Sequence, residues 1–528
     1  MKKTPKFDAN GKRAFGIRDK IAYAAGDLGC NMSFSLKGTV QTFWLVFMML
    51  ETGLLSALLL VVQIWDAVND PLIGSLIDSD RRKYKMGKFK TYVFIGACGL
   101  LVGGAMVFLP FPGASTLLKA ILFVLGYIVW DAFYTIANVP YGSMLSVITN
   151  DEKERAQLST WRSIGSILGN ILPSAILPML IWRKVTYDGT TGFLKLIEIP
   201  KESQELFTPE NLSINPITGK AYEIGEEVLS PLTHKPLEIL LGNRVFFAAL
   251  IMGVIGFICF MLMLKLVTVR VDESMVKTNE NTGKINIISA FGKFMRNRPA
   301  VGATLAAMGM FLGMNAANTA STIMFATYFN MASLSGLVQL IGFVPMMFFI
   351  PFIPKLVTKY GKKECATLGT AVSIVGGAMM FIFPVIKNTT TALIVYLISL
   401  TIYGFGIGVY NCVSWAMMGD AIDYNEWRFG TREEGTVYSL HSFFRKLAQG
   451  IGPSAVLLIM GALGYVAKYG TIGQSMQTAH NMCWLVAGLY TFSAILQFIG
   501  LGAIYNLDKK TMKHMNDELT SRRAEQAE

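Results

Sequence analysis

The sequence predicts an all-α polytopic membrane protein of twelve transmembrane helices in two six-helix halves. Three observations predict it. Apolar residues make up 52% of the 528-residue chain and charged residues only 16%, whereas a soluble chain of this length divides into domains with mixed polar surfaces. Apolar runs of about twenty residues, long enough to cross a bilayer, recur from end to end. Landmarks of the first half return about 274 residues later, as with Gly87-Lys88 and Gly361-Lys362-Lys363. Barrel strands are not indicated, because the runs are too long and lack two-residue alternation.

A net charge of +12 does not point to nucleic acid. The Lys and Arg residues cluster in short loops, as the positive-inside rule expects of a membrane protein. The six cysteines (Cys30, Cys98, Cys259, Cys365, Cys412, Cys483) fall within or beside apolar runs, so no disulfide framework or spaced metal site is indicated. His234, His441, His480 and His514 are scattered, and an enzyme would need an acid–base or metal constellation at one depth. No cofactor is expected.

A basic N-terminus, residues 1–20, precedes the first span, residues 21–49, which is too long and polar for a cleaved signal. Asp27, Asn31, Ser35 and Gly38 follow helical spacing there and should face the protein interior. The second span, 54–77, holds Asp66 and Asp70, four residues apart and so on one helical face. Carboxylates inside a membrane are costly and functional by default. Their oxygens suit a small hard cation, and either acid could carry a proton instead. An internal salt bridge that only pins two helices is the alternative.

Basic residues 81–90 make the next loop cytoplasmic. Spans three to five follow at about 91–109, 117–148 and 158–182. Residues 183–240 break the pattern, with nine acids against six Lys and Arg. By parity this insert lies outside, as a small cap or as a disordered excursion. The sixth span lies within 241–267. A cytoplasmic linker, 268–297, ends in a stripe of Ile287, Ile288, Phe291 and Met295 with Lys293 and Arg296 off it, which reads as an interfacial helix. Six more spans fill 298–505, the tenth at about 392–418 with a charged loop after it, and the tail 506–528 is charged and cytoplasmic.

Two six-helix halves related by a parallel repeat form the architecture of the major facilitator superfamily, in which substrate binds near the midplane between the halves. Several stretches together resemble the glycoside–pentoside–hexuronide:cation symporters, the melibiose-permease family. They are Tyr23-Ala24-Ala25-Gly26-Asp27 through Asn31, Trp65 to Gly74, Gly87-Lys88-Phe89-Lys90, Tyr134 to Ser143, Arg162, Asp420 to Glu426 and Lys446. The resemblance implies sugar or glycoside uptake by alternating access, driven by Na⁺, H⁺ or Li⁺. It also implies a multi-pass, monomeric protein of the plasma membrane with both termini cytoplasmic. It assigns the cation, Na⁺ included, to Asp66 and Asp70 with the Thr135 hydroxyl nearby. It assigns sugar contacts to Asn31 and Asn138. The melibiose carrier has acids at those two positions. Amides still bond sugar hydroxyls but do not repel an anionic sugar, which tilts the substrate toward a uronide or a xyloside.

Three positions depart from the family pattern. Gln63 replaces a common Arg, and Lys37 and Asp131 stand where relatives have small or apolar residues. Lys37 lies roughly 9 Å outward of Asn31, and Asp131 roughly 10 Å outward of Asn138, on helices expected to be antiparallel. The matching depths predict a Lys37–Asp131 pair, either a substrate-carboxylate contact and gate or a fixed bridge replacing the lost Arg. Arg162 is a candidate sugar or cation-site contact, or a partner of Asp66. Tyr134, Asn315, Asn318, Tyr410, Asn411, Trp415 and Lys446 are further cavity candidates. Lys88, Arg155, Asp420, Asp423 and Arg432 read as cytoplasmic gate contacts or as topology anchors. A lipid or lysolipid carrier of the same fold would need a wide apolar channel, against the Asn, Thr, Ser and Tyr expected here. A sensor without transport would leave Asp66 and Asp70 without a reason.

Overall fold

The structure is a computed structural model. It describes residues 13–80, 82–149, 151–189, 208–231, 234–270, 287–349, 352–430 and 434–525. The chain divides into two compact units. Unit 1 comprises Met1–Leu54, Val61–Lys184 and Ile239–Thr282, and unit 2 comprises Leu55–Leu60, Val185–Glu238 and Gly283–Glu528.

Unit 1 is built from α1 (Ile17–Phe34), α2 (Lys37–Thr42), α3 (Thr52–Ser79), α4 (Lys88–Met106), α5 (Thr116–Ile148), α6 (Glu152–Ile181) and, after the insert, α8 (Gly242–Leu266). The first span is not one helix. It breaks at Ser35-Leu36, restarts as α2 and ends in a π-turn, Phe43–Phe47. Two large aromatics buried in its core, Trp44 and Trp130, have their ring N–H groups satisfied. Trp44 Nε1 donates to the Val107 carbonyl at 3.0 Å, and Trp130 Nε1 to Ser33 Oγ at 2.7 Å.

The described part of the insert is folded. Strands β1 (Trp182–Lys184) and β2 (Glu238–Leu240) pair, and antiparallel bridges join Thr186 to Glu227 and Leu229 to Pro236. A one-turn helix, α7 (Pro209–Leu212), lies between. Residues 190–207 and 232–233 fall outside the described residues.

Unit 2 contains α9 (Ile287–Arg296), α10 (Arg298–Met324), α11 (Ser335–Phe349), α12 (Ile353–Tyr360), α13 (Lys362–Met379), α14 (Thr389–Phe429), α15 (Glu434–Ala462), α16 (Met476–Phe498) and α17 (Lys509–Glu525). On α9, Phe291 and Met295 are exposed while Phe294 is buried and stacks on Phe444 at 6.3 Å. The tenth span runs further than the sequence suggests. Gly419 is accommodated within the helix and no proline separates Met418 from Gly430, so α14 carries Asp420 and Asp423 on helix rather than in a loop, and stops at Gly430 with φ 70°. The tail helix α17 then bonds to its end, where Trp427 Nε1 donates to Glu518 at 2.7 Å.

Among the described residues nine helices are long and apolar enough to cross a membrane. The other three predicted spans are helical too: the interrupted first, the eighth on α11 with α12, and the polar eleventh on α15. The membrane-spanning part of the protein is therefore all-helical, as the sequence predicts. The repeat is written in the backbone as well. Gly87 and Gly361 cap α4 and α13 with φ 88°, ψ 156° and φ 109°, ψ 157°, a region open only to glycine. A π-turn followed by a left-handed residue ends both Phe43–Phe47 (Met49) and Phe325–Phe329 (Asn330).

Gly87→Ala should therefore lower stability by about 1–3 kcal/mol, read as a lower thermal midpoint in detergent, whereas Met86→Ala at the exposed neighbour should not. In the same loop the Asp80 carboxylate accepts the hydroxyls of Tyr84 and Tyr92 at 2.6 Å each, which hold its pKa down at about 2. A carboxyl depressed on folding stabilises above its unfolded pKa and ceases to do so as pH falls through the folded value. Asp80→Asn should flatten the decline in thermal midpoint between about pH 4 and 2.

Candidate functional site

Unit 1 gathers an intramembrane cluster of charge. Asp27 and Asn31 project from α1, Lys37 from α2, Asp66, Asn69 and Asp70 from α3, Asp131, Tyr134, Thr135 and Asn138 from α5, and Arg162 and Asn170 from α6. One of its ion pairs depends on tight helix packing. A Cβ on Gly165 would lie 2.1 Å from the Ala24 carbonyl oxygen, so only glycine lets α6 come that close to α1. At that approach Arg162 Nε donates to Asp27 Oδ1 at 2.9 Å. Arg162 thus pairs with Asp27 and not with Asp66. Asp27 Oδ2 accepts from Asn31 Nδ2 at 2.9 Å, and Asn31 Oδ1 accepts from Asn170 Nδ2 at 2.6 Å.

Lys37 does not pair with Asp131. Its ammonium meets Asp66 at 3.4 Å, with both side chains about a quarter exposed or less (25% and 21%), and lies 5.1 Å from the Phe34 ring. The depth argument assumed one continuous helix from Asn31 to Lys37. The break at Ser35-Leu36 starts a new helix at Lys37 and redirects its side chain toward α3. Asp131 is instead held by Asn69, whose Nδ2 lies 3.1 Å from Asp131 Oδ2 and 2.9 Å from Thr135 Oγ1. The Thr135 hydroxyl in turn donates to Asp70 Oδ1 at 2.9 Å. A single hydrogen-bonded row thus joins Asp131, Asn69, Thr135 and Asp70. Gln63 Nε2 contacts the Tyr127 hydroxyl at 3.3 Å.

Two buried oxygens in this row, Asp131 Oδ1 and Asn69 Oδ1, have no hydrogen-bond donor among the described residues. Both are acceptors. Buried acceptors left without a donor cost free energy that a proton or a small cation can recover. The half-buried Asn138 amide likewise makes no hydrogen bond among the described residues. Tyr134 packs on Phe34 at 6.0 Å.

In unit 2, Trp415 is half-exposed and stacks on Tyr438 at 5.8 Å, and Asn411 is exposed one turn earlier on α14. Lys446 is partly buried on α15. Asn318 accepts from Tyr490 at 3.4 Å, and the Tyr410 hydroxyl donates to the Ala303 carbonyl at 3.2 Å. Of the gate candidates, Asp420 binds Lys362 at 2.6 Å and Arg155 donates to the Thr149 carbonyl at 2.9 Å. Lys88 opens α4, Asp423 lies one turn past Asp420, and Arg432 lies outside the described residues.

Sequence reasoning passed over three residues that the structure brings forward. Asn69 lies between the two aspartates it was read with. Asn170 lies eight residues after Arg162, on the same side of α6. Arg445 adjoins Lys446, and the intramembrane charge alone could have marked it.

Arg162→Gln should strand the Asp27 charge and cost about 1–3 kcal/mol. That is less than the roughly 3–5 of a fully buried pair, since the Arg162 side chain is 38% exposed. Adding Asp27→Asn should recover most of the loss, as measured by thermal unfolding of the two single variants and the double variant.

The comparisons agree with this picture. A family profile described as "MFS/sugar transport protein" matches residues 22–509. The chain is 28% identical over 511 residues to "Uncharacterized symporter YjmB" of Bacillus subtilis (strain 168), covering 94% of each. It is 26% identical over 503 residues to the "Isoprimeverose transporter" of Lactiplantibacillus pentosus, covering 94% of this chain and 90% of that one. The solved structure of nucleoside transporter NupG superposes with TM-score 0.51 at 14% identity, over 94% of this chain and 100% of that one, which supports the fold. A membrane-embedded polar cluster, a backbone repeat and an end-to-end family match lead to one conclusion: the chain belongs to the MFS/sugar transport protein family, within its glycoside–pentoside–hexuronide symporter-like branch, and is a sugar transporter and not an enzyme.

Proposed function

We propose that this protein is a cation-coupled symporter that takes up a glycoside, pentoside or hexuronide by alternating access, with a sodium ion or a proton as the coupling cation. The observation that carries the reading is a shortage of positive charge in the unit 1 cluster. In that cluster Asp27, Asp66, Asp70 and Asp131 stand against Lys37 and Arg162, and two buried oxygens there have no donor among the described residues. A membrane interior does not hold uncompensated carboxylates cheaply. A transported cation supplies the missing charge, and the cycle can then be driven by its gradient.

Asp66, Asp70 and Thr135 offer hard oxygen donors on adjacent turns of α3 and α5, the donor type a sodium ion takes. Lys37 already occupies one side of Asp66, so a cation arriving there competes with a tethered ammonium. That competition gives the cation site two states, Lys37 on or off Asp66, which alternating access requires of any coupling site. Asn138 presents its amide for sugar hydroxyls with Tyr134 on the same helix, whereas the Asn31 amide would have to exchange its bonds to Asp27 or Asn170 for a sugar hydroxyl. The family match supports sugar as cargo, and the word "symporter" in a relative's name supports coupling. The basic loop ends support an orientation with both termini cytoplasmic, in the cytoplasmic membrane.

The test is uptake into proteoliposomes of a radiolabelled glucuronide, xyloside, galactoside and free hexose. Each is offered with an inward Na⁺ gradient, an inward H⁺ gradient or neither. One sugar should accumulate under one gradient, and Asp66→Asn should reduce that accumulation to the no-gradient level. Equal uptake with and without gradients would mark a uniporter and remove the coupling role from Asp66. Lys37→Gln should raise the apparent affinity for the coupling cation several-fold, because it removes the competing ammonium. A weaker cation affinity in that variant would contradict the competition.

A further inference from the structure

Arg445 lies eleven residues into α15, roughly 16 Å along the helix and so far from either end. The intramembrane cations Arg162 and Lys37 of unit 1 each meet a carboxylate. Arg445 meets none at salt-bridge distance among the described residues. The titratable groups that act on it are Tyr410 and Tyr438, and its charge acts in turn on His441. His441 is already engaged, with Nδ1 2.9 Å from Thr304 Oγ1.

What Arg445 does have is two aromatic faces. Its guanidinium carbon lies 5.4 Å from the Phe311 ring centroid on α10 and 5.3 Å from that of Trp415 on α14. Its Nε is buried without a hydrogen-bond partner. Cation–π contacts recover part of the lost hydration of a guanidinium, but they use its faces and leave its donors unspent. The donors are five N–H groups in a planar fork, and the fork fits two oxygens of one anion. A charge this costly inside a membrane marks a ligand pathway by default.

We propose that Arg445 is the anchor for an anionic substituent of the cargo, a carboxylate or a sulfonate, so that the transported sugar is an acidic one. This rests on the sugar-transport reading and narrows it. Trp415 and Tyr438, each half-exposed and stacked on one another beside the guanidinium, supply aromatic surface against which a pyranose ring can pack. Charge accounting points the same way. The unit 1 cluster carries four carboxylates against two cations and calls for a cation, whereas Arg445 has no acid at salt-bridge distance among the described residues and calls for an anion.

The experiment is calorimetric titration of the full-length protein in detergent with three methyl glycosides of one stereochemistry. They are the glucuronide (carboxylate at C6), the 6-deoxy-6-sulfo-glucoside (sulfonate at C6) and the neutral glucoside. At least one anion should bind about 10–100-fold more tightly than the glucoside, the range expected of charge-assisted bonds. Which anion wins separates a planar two-oxygen partner from a tetrahedral three-oxygen one. Arg445→Gln should remove the preference and leave glucoside binding within about threefold, at an unchanged thermal midpoint. Should Arg445→Gln fail to fold, Arg445→Lys keeps the charge without the fork and should weaken the carboxylate probe several-fold. Equal binding of acid and neutral probes, a preference that survives in Arg445→Gln or stays undiminished in Arg445→Lys, or binding of none of the three would each overturn the assignment. Gradient-driven uptake of a neutral xyloside or galactoside would then show that only the acidic cargo has failed and that symport stands.

Discussion

Charge inside the bilayer is the constraint on which the rest of this structure depends. A transmembrane helix can be almost any apolar sequence, but an ionised side chain within it must be neutralised nearby. Here the requirement reaches down to backbone packing. Arg162 and Asp27 can meet because Gly165 lets α6 close on the Ala24 carbonyl, and Tyr141 completes the contact by stacking on Tyr23 at 4.8 Å and donating to its carbonyl at 2.7 Å. The break at Ser35-Leu36 has the same role for the other cation. There the Leu36 N–H bonds to the Ser33 carbonyl at 3.2 Å, one residue tighter than the α-helical pattern, just before Lys37, whose ammonium lies 3.4 Å from Asp66.

The row from Asp131 to Asp70 behaves differently, because it is rich in acceptors and poor in donors. The Asn69 amide has two hydrogens and three acceptors within 3.4 Å: a backbone carbonyl, the Asp131 carboxylate and the Thr135 hydroxyl. Thr135 spends its single proton on Asp70. No rearrangement of these groups alone satisfies every oxygen. An added cation or proton changes that count, so its arrival would shift hydrogen bonds along the whole row, from α3 to α5. A site built this way senses occupancy through bonds that already exist.

The scaffold was largely legible in the sequence, and so was the presence of a polar cluster within the spans, but not its pairing. Span lengths and the recurrence of Gly87 at Gly361 follow from rules that act along the chain, and these give the fold. Asp66, Asp70, Asn31 and Asn138 stand out because polar groups in apolar runs are rare. Partner choice is another matter. It depends on where a helix bends and how closely two helices pack, and neither is written in residue spacing. The depth rule placed Lys37 opposite Asp131 because it could not see the turn at Ser35. It could not see α14 continuing through Asp420 either, since Gly419 followed by charge looks like the start of a loop until the lack of a proline before Gly430 is weighed. Asn69 was hidden for a simpler reason. An amide between two acids draws less notice than the acids, although here it is the hub that joins them.

Cargo charge also bears on how such a carrier can be driven. Moving one elementary charge across a membrane potential is worth about 2.3 kcal/mol per 100 mV. A neutral sugar carried with one cation moves net charge, and the potential adds to the chemical gradient. An acidic sugar carried with one cation moves none, and only the chemical gradient drives it. A carrier of acidic sugars gains the potential again only if more than one cation travels. The acid excess of the unit 1 cluster bears on this choice, because the charges of Asp66 and Asp70 both act on Asp131. Three carboxylates near one tethered ammonium could balance two incoming cations as readily as one. On the proposed reading, stoichiometry would follow from how much negative charge of the cluster Lys37 leaves uncompensated when the cargo binds.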